Sequence, residues 1–208
     1  MAIYHDDIMQ GTDEWYSLRL GKMTASDFHV MLGKSQTKTD KLWEIIAERL
    51  TGDTDQEPFT GFAAERGKVL EAEARRLYSA INEIETKETG FVEPDKDSPY
   101  YGFIGASPDG LLGEDGGLEI KCYLAKNFLQ YTSPTEDGGM EIIYVRPEVK
   151  TQIQFNLMVT GRKWWDLVYY HPRFPMAVCR FEPDLELQEK IKTTIQDCIN
   201  FIKEKVTK

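Results

Sequence analysis

The sequence predicts an α/β fold in which a mixed central β-sheet is flanked by helices. Three observations carry that expectation. Helical periodicity occupies the first part of the 208-residue chain, short apolar runs cluster in its middle, and helical periodicity returns near residue 147 and again at the end. The composition, 41% hydrophobic and 29% charged, supplies enough apolar surface for a packed core. The length fits one domain spanning residues 1–208.

The elements follow in order. Thr24-Ala25-Ser26-Asp27 before an apolar run has capping-box spacing, so a helix is expected from there to Gly33. A second helix is expected over 39–51, with Leu42, Ile45, Ile46 and Leu50 as its apolar stripe and Gly52 as its stop. A longer helix covers about 61–80. Strands are expected at 90–93, 100–106, 111–112 and 117–123, with Glu114-Asp115-Gly116-Gly117 as hairpin-turn chemistry. A helix over 147–161 precedes two paired strands, 164–170 and 176–181, around His171-Pro172-Arg173. The last element is an amphipathic helix over 184–206, with Leu185, Ile191, Ile195, Ile199 and Ile202 on its apolar side.

No run approaches the ~18 apolar residues of a membrane span. The opening MAIYHDDIMQ lacks a basic segment followed by an apolar one, so no signal peptide and a cytoplasmic location are expected. Cys122, Cys179 and Cys198 form no CxxC, which argues for buried, reduced thiols rather than zinc or disulfides. Histidine is scarce, so a metal, if used, is expected on oxygen ligands. The net charge of −10 runs against the basic footprint of a nucleic-acid binder. Two arrangements reconcile the two: acids gathered around a divalent metal, or bases lining one channel within an acidic exterior.

The most informative stretch is Ser107-Pro108-Asp109-Gly110 followed by Glu119-Ile120-Lys121. A hairpin turn between Asp109 and Glu119 puts the two acids on adjoining strands. Glu119 and Lys121, two apart, point to the same face, while Leu118 and Ile120 point into the core. Two carboxylates and an amine then converge, which suits phosphodiester hydrolysis. The carboxylates hold Mg²⁺, the metal stabilises phosphate charge and acidifies water, and the lysine orients that water. Glu-x-Lys alone occurs by chance, and Pro-Asp-Gly alone is a common turn; the combination in register is more specific. Upstream, Ala64, Gly67 and Glu71 share a helix face. Glu71 reads either as a further acid of the site or as surface pairing with Lys68 and Arg75. Gln152 and Gln154 sit in the helix over 147–161, where an amide can hold a water or a phosphate oxygen.

Other motifs fail. Gly61 to Lys68 has the wrong spacing for a phosphate loop and Val69 where Ser or Thr is needed. Asp95-Lys96-Asp97 lacks the rest of a calcium loop. Gly105-Ala106-Ser107-Pro108-Asp109 ends in aspartate, not the glycine of a nucleophile elbow. Trp164-Trp165 and Tyr169-Tyr170 are expected in a buried strand rather than stacked on bases.

These residues, together with Gly11-Thr12-Asp13-Glu14-Trp15, Arg19, Gly21, Thr24-Ala25-Ser26, Gly67-Lys68, Gln152-Ile153-Gln154 and Val159-Thr160, resemble the phage lambda exonuclease and viral-recombinase family of alkaline exonucleases. That family lies within the PD-(D/E)xK nuclease superfamily. The resemblance implies a restriction-endonuclease-like core. It implies a Mg²⁺-dependent 5′→3′ exonuclease with two metal ions per active site, Mn²⁺ substituting. Such an enzyme degrades one strand of linear duplex DNA from 5′-phosphorylated ends to mononucleotides and leaves 3′ single strands for recombination by strand annealing.

Residue by residue, the resemblance makes Asp109 and Glu119 the principal metal ligands, with the Ile120 carbonyl beside them. Glu71 would serve the second metal, Lys121 would position the attacking water, and Gln152 would contact it. Arg19, Ser26 and Ser107 would form the 5′-phosphate pocket, with Trp15 packed beneath Arg19. The family also implies a ring-shaped homotrimer and a single-strand annealing partner. Lys22, Lys34, Lys38, Lys41, Arg66, Lys68 and Lys126 are then expected to face the channel. The segment from Gly33 to Asp40 is shorter than in the lambda protein, and Ala64 replaces a bulky residue near its strand-separating wedge. A structure-specific or single-strand nuclease on the same core, a non-catalytic DNA-end-binding module and an acidic interaction protein are the alternative readings.

Overall fold

A computed structural model describes residues 2–33, 35–55 and 61–206. Its centre is a five-stranded mixed sheet ordered β11-β10-β7-β6-β3. The strands are β3 (Thr86–Lys87), β6 (Gly110–Leu112), β7 (Gly116–Cys122), β10 (Trp164–Tyr170) and β11 (Ala177–Phe181). β7 pairs antiparallel with β6 and parallel with β10, with Glu119 opposite Leu167 and Lys121 opposite Tyr169. β11 returns antiparallel on β10. Two helices cover the two faces. α3 (Phe62–Asn82) packs Leu70, Ala74 and Tyr78 on Leu118, Ile120 and Val168. α5 (Pro147–Thr160) packs Val149, Ile153 and Leu157 on Trp165, Leu167 and Tyr169. The alternation of β7 therefore sends its apolar residues toward α3 and its polar pair toward α5.

A second layer joins α2 (Gln36–Thr51) and α6 (Leu185–Val206) to the outer side of α5. α2 ends on Gly52 at φ 72°, the left-handed geometry that glycine adopts without strain. The expected apolar stripes hold at Leu42, Ile45, Ile46, Ile191, Ile195, Ile199 and Ile202, all buried. They fail at Leu50 and Leu185, which are exposed at the helix ends. Among the described residues no helix is long and apolar enough to cross a membrane.

Several local expectations are corrected. The segment from Thr24 to Gly33 is not an α-helix: β2 (Met23–Thr24) pairs with β5 (Ile104–Gly105), and only Phe28–Leu32 forms a 3₁₀ turn. The hydroxyls of Thr24 and Ser26 accept from Arg19 instead of capping a helix. The strand expected over 100–106 is cut to β5, because Tyr101 and Phe103 amides close turns on Ser98 and Tyr100 carbonyls. β7 begins at Gly116, so the left-handed residue of the hairpin turn is Gly113, φ 53°. Gly116 and Gly117 answer to packing: an added Cβ would sit 2.2 Å from the Trp164 ring and 2.3 Å from the Trp165 ring.

Other elements, β3 among them, were not foreseen. β1 (Ile3–His5) pairs with β4 (Phe91–Glu93). α1 (Asp13–Arg19) is capped by Thr12, which accepts from the Trp15 amide, with Asp13 and Glu14 in its first turn. α4 (Ala125–Tyr131) leads into the hairpin of β8 (Thr132–Pro134) and β9 (Met140–Ile142). Cys198 is buried, whereas Cys122 and Cys179 are partly exposed; all three are free thiols.

Candidate active site

β7 brings the first two groups together. Lys121 Nζ donates to Glu119 Oε1 at 2.6 Å, as the two-residue strand period requires. Asp109 stands immediately before β6, across the hairpin from Glu119. Its Oδ2 accepts from the Ile120 amide at 2.6 Å, which locks the acid against β7. α5 closes the other side: Gln152 Oε1 accepts from Lys121 at 3.1 Å and Asn156 Nδ2 donates to Glu119 Oε2 at 3.3 Å.

α3 contributes Glu71 at the edge. Its Oε1 accepts from Arg75 at 2.7 Å, so the expected pairing with Arg75 exists. It is not surface decoration, since Arg75 has only 13% of its side chain exposed and its Nε also donates to the Asp109 carbonyl at 2.7 Å. Arg75 thus ties helix α3 to the hairpin. Gly67, one turn earlier, faces open space, so close packing does not account for it. Ala64 and Lys34 lie outside the described side chains.

Arg19 enters from α1. It donates to Ser107 Oγ at 3.2 Å, Thr24 Oγ1 at 3.2 Å and Ser26 Oγ at 3.4 Å. Its guanidinium lies 4.3 Å from the Trp15 ring centroid, and the indole NH donates to Ser107 Oγ and the Gly90 carbonyl, both at 2.9 Å. Trp15 therefore supports the arginine, as expected. Among the described residues Arg19 has hydroxyl partners and no carboxylate within ion-pair distance, and burial holds it below its ordinary pKa. A buried guanidinium facing hydroxyls has the chemistry to take an anion.

All nine sequence-selected residues line one cavity of about 210 Å³: Arg19, Ser26, Glu71, Ser107, Asp109, Glu119, Ile120, Lys121 and Gln152. Gln10 completes its wall and is anchored to the Thr89 and Pro108 carbonyls. Sequence reasoning missed Gln10, Thr24 and Asn156, and it undervalued Arg75. Only Asn156 left a usable signal, standing four residues after Gln152 on the same helix face.

The electrostatics follow from burial. Desolvation, then the charge of Asp109, raises Glu119 to about 7 and Glu71 to about 8. Burial also raises Asp109. Burial alone would lower Lys121, but the charges of Glu119 and Asp109 hold it above the usual lysine range. The carboxylates of Asp109 and Glu119 and the adjacent Ile120 backbone form a donor set that suits one hard cation. Glu71 has one oxygen already engaged by Arg75. Among the described residues no three Asp, Glu, His or Cys side chains form a ready-made metal cluster, so a cation here depends on backbone or water oxygens as well.

The expected channel cations separate into two groups. Lys22 is mostly buried and pairs with Glu93 at 3.1 Å. Lys41 pairs with Glu44 and, at 3.9 Å, with Asp27. Both are engaged in ion pairs. Lys38, Arg66, Lys68 and Lys126 have no carboxylate within 4 Å among the described residues.

A mixed sheet whose central hairpin presents Asp-…-Glu-x-Lys into a cleft defines a nuclease fold. The chain belongs to the YqaJ-like viral recombinase family, whose model matches residues 14–163. It is similar to the crystal structure of the alkaline exonuclease LHK-Exo from Laribacter hongkongensis, with 30% identity, a TM-score of 0.78, and 94% of this chain and 95% of that chain covered. The structure of LHK-Exo in complex with dAMP matches equally, at 31% identity and a TM-score of 0.78 over the same shares. A phage-related exonuclease from Haemophilus somnus 129PT shares the fold at 13% identity, with a TM-score of 0.60, 89% of this chain and 95% of that chain covered. No curated protein matches the sequence. Family and fold together make the chain a nuclease of the alkaline-exonuclease kind.

Proposed function

We propose that the chain is a Mg²⁺-dependent exonuclease that removes mononucleotides from 5′-phosphorylated ends of linear duplex DNA, in the 5′→3′ direction. One observation carries this reading: an anion pocket built on Arg19 and a carboxylate–lysine cluster line the same small cavity. An enzyme that cleaves internally has no need of a dedicated terminal-phosphate site beside its scissile position. The relative crystallised with dAMP supports a nucleotide-sized product.

Asp109, Glu119 and the Ile120 carbonyl would hold the Mg²⁺, with Glu71 serving a second ion or its waters. When bound, the metal stabilises charge on the phosphate and acidifies a coordinated water. The remaining work belongs to the chain. Arg19, Ser26 and Ser107 bind the terminal phosphate and fix the reading frame of one nucleotide. Lys121, steadied by Glu119 and Gln152, orients the attacking water and meets charge developing on the phosphate. Asn156 keeps Glu119 turned into the cavity. Mn²⁺ is proposed to substitute for Mg²⁺. A ring-shaped homotrimer, a single-strand annealing partner and a cytoplasmic place of work complete the proposal.

The test compares linear duplex DNA with 5′-phosphate and 5′-hydroxyl ends, with and without Mg²⁺. Faster release of mononucleotides from phosphorylated ends, lost on chelation, is expected. Equal digestion of both ends, or cleavage of closed circular DNA, would replace the reading with a structure-specific nuclease. Binding without any release would leave an end-binding module.

A further inference from the structure

Helix α3 overhangs the catalytic strand. Its Tyr78 hydroxyl donates to Asp166 Oδ2 at 2.6 Å near the start of β10, and its Glu73 accepts from the Tyr170 hydroxyl at 2.6 Å at the end of β10. The helix therefore runs antiparallel to β10 and to its parallel partner β7. Residues before Leu70 extend past the C-terminal ends of both strands, where Cys122 and His171 lie. Arg66 shares the face of Leu70 and Glu73 at spacings of four and three, so it projects over those ends.

The turn it overhangs is built. The Phe128 and Phe174 rings stack at 5.2 Å and 8°, and His171 packs on Phe174 at 5.0 Å. The Arg173 amide donates to His171 Nδ1 at 3.2 Å, which leaves the neutral imidazole its proton on Nε2, a donor. Among the described residues neither Arg66 nor Arg173 has a carboxylate within 4 Å. Burial, then the charges of Arg66 and Arg173, holds His171 below its ordinary value. Two unpaired guanidinium groups and an imidazole donor beside a cluster of acids, in a chain of net charge −10, are an arrangement that an anion completes.

We propose that Arg66, His171 and Arg173 form a second phosphate-binding rim, which holds the backbone of the scissile strand on the opposite side of the carboxylates from Arg19. Arg19 and Ser26 belong to elements packed on the α5 side of the sheet, through Phe28 against Phe155. Arg66 belongs to the α3 side. A strand gripped at both places crosses the end of β7 and lays its first internal phosphodiester over Asp109, Glu119 and Lys121. The partner is the phosphodiester backbone of nucleic acid, read without regard to base. This inference rests on the exonuclease reading and deepens it.

The test is the double variant Arg66→Ala/Arg173→Ala, assayed on 5′-phosphorylated linear duplex across a salt series. Arg66→Lys/Arg173→Lys tests rescue by charge. Lys163→Ala, at the opposite end of β10 and paired with Asp115, controls for loss of a positive charge. Unchanged thermal melting confirms that each variant folds. The rim predicts a KM about tenfold higher, with the salt dependence of binding shallower by roughly one counterion per lost contact. It also predicts recovery in the lysine variant and no change in the Lys163 control. A KM and salt dependence equal to the parent's, or a loss confined to kcat, would overturn it. If the parent releases no nucleotide, the exonuclease reading fails first. The rim is then judged by duplex binding in the presence of a chelator, where equal affinity of parent and double variant would sink it.

Discussion

Asn156 and Lys121 divide Glu119 between them. Lys121 takes Oε1 at 2.6 Å from the same strand, and Asn156 takes Oε2 at 3.3 Å from helix α5. Glu119 has 1% of its surface exposed, so both oxygens are positioned by protein and neither swings into solvent. This carboxylate is held by the helix that forms the core behind it.

Lys121→Ala is expected to lower nucleotide release by about 10² to 10⁴-fold, the range for losing a positioned proton-handling or charge-stabilising group. Single-turnover digestion of end-labelled duplex measures it. A loss under tenfold would move the water-orienting role elsewhere.

Arg19→Ala is expected to erase the preference for 5′-phosphate over 5′-hydroxyl ends while leaving residual hydrolysis. Its partners are hydroxyls that keep their places through Trp15 and Thr24. Competition between the two kinds of end in one reaction reports the preference directly. Retained discrimination would show that the terminal phosphate sits elsewhere.

The raised carboxylates give a signed pH effect. Glu71 at about 8 and Glu119 at about 7 bind protons more tightly in the folded chain than at their ordinary value of 4.5. The folded state then holds the extra protons, and stability falls as pH rises from about 4.5 toward 8. In chelator, the melting temperature should decline across that window. Mg²⁺ should restore more at pH 8 than at pH 6, because it stabilises the charged forms. A Mg²⁺ effect that is flat with pH would argue against ligation by these acids.

Gln152 and Gln154 have opposite duties. Gln154 is buried, donates to the Glu182 carbonyl at 2.8 Å and accepts from the Asp184 amide at 2.8 Å, anchoring the entry to α6. Gln154→Ala should cost about 1–3 kcal/mol of stability, since it strands backbone groups. Gln152→Ala should leave melting unchanged and slow turnover by up to about 100-fold through a misplaced Lys121. Denaturant titration and turnover separate the two, and the reverse pattern would exchange their roles.

Arg75→Ala should lower turnover about tenfold by releasing Glu71 and the Asp109 carbonyl. Combined with Glu71→Gln, the two losses should fail to add, with a coupling on the order of 0.5–3 kcal/mol. Strict additivity would mean that Arg75 acts only through the hairpin backbone.

Much of the site was legible because strand chemistry is local. Glu119 and Lys121 share a face by period alone, and Asp109 follows from the hairpin that joins β6 to β7. The same logic found the main sheet strands and the apolar sides of α2 and α6. What escaped depends on distant partners. Thr24 and Ser26 have the residue types of a helix cap, yet Arg19 engages their hydroxyls and β5 takes the Thr24 backbone into a strand. Gly116 and Gly117 read as a turn, although their reason is the two tryptophans of β10 lying over them. Arg75 looked like ordinary helix pairing because nothing in its own segment announces the Asp109 carbonyl.

The parallel pairing of β7 with β10 has a consequence for when activity can arise. Glu119 and Lys121 are fixed in the sheet by Leu167 and Tyr169, which are made much later in synthesis, after all of α5. Such a non-local pairing forms slowly and late. A ribosome-bound chain that has exposed both acids and the lysine still lacks the strand that aligns them and the helix that holds Glu119. The order of translation therefore keeps a nascent nuclease silent until α5 and β10 have left the exit tunnel.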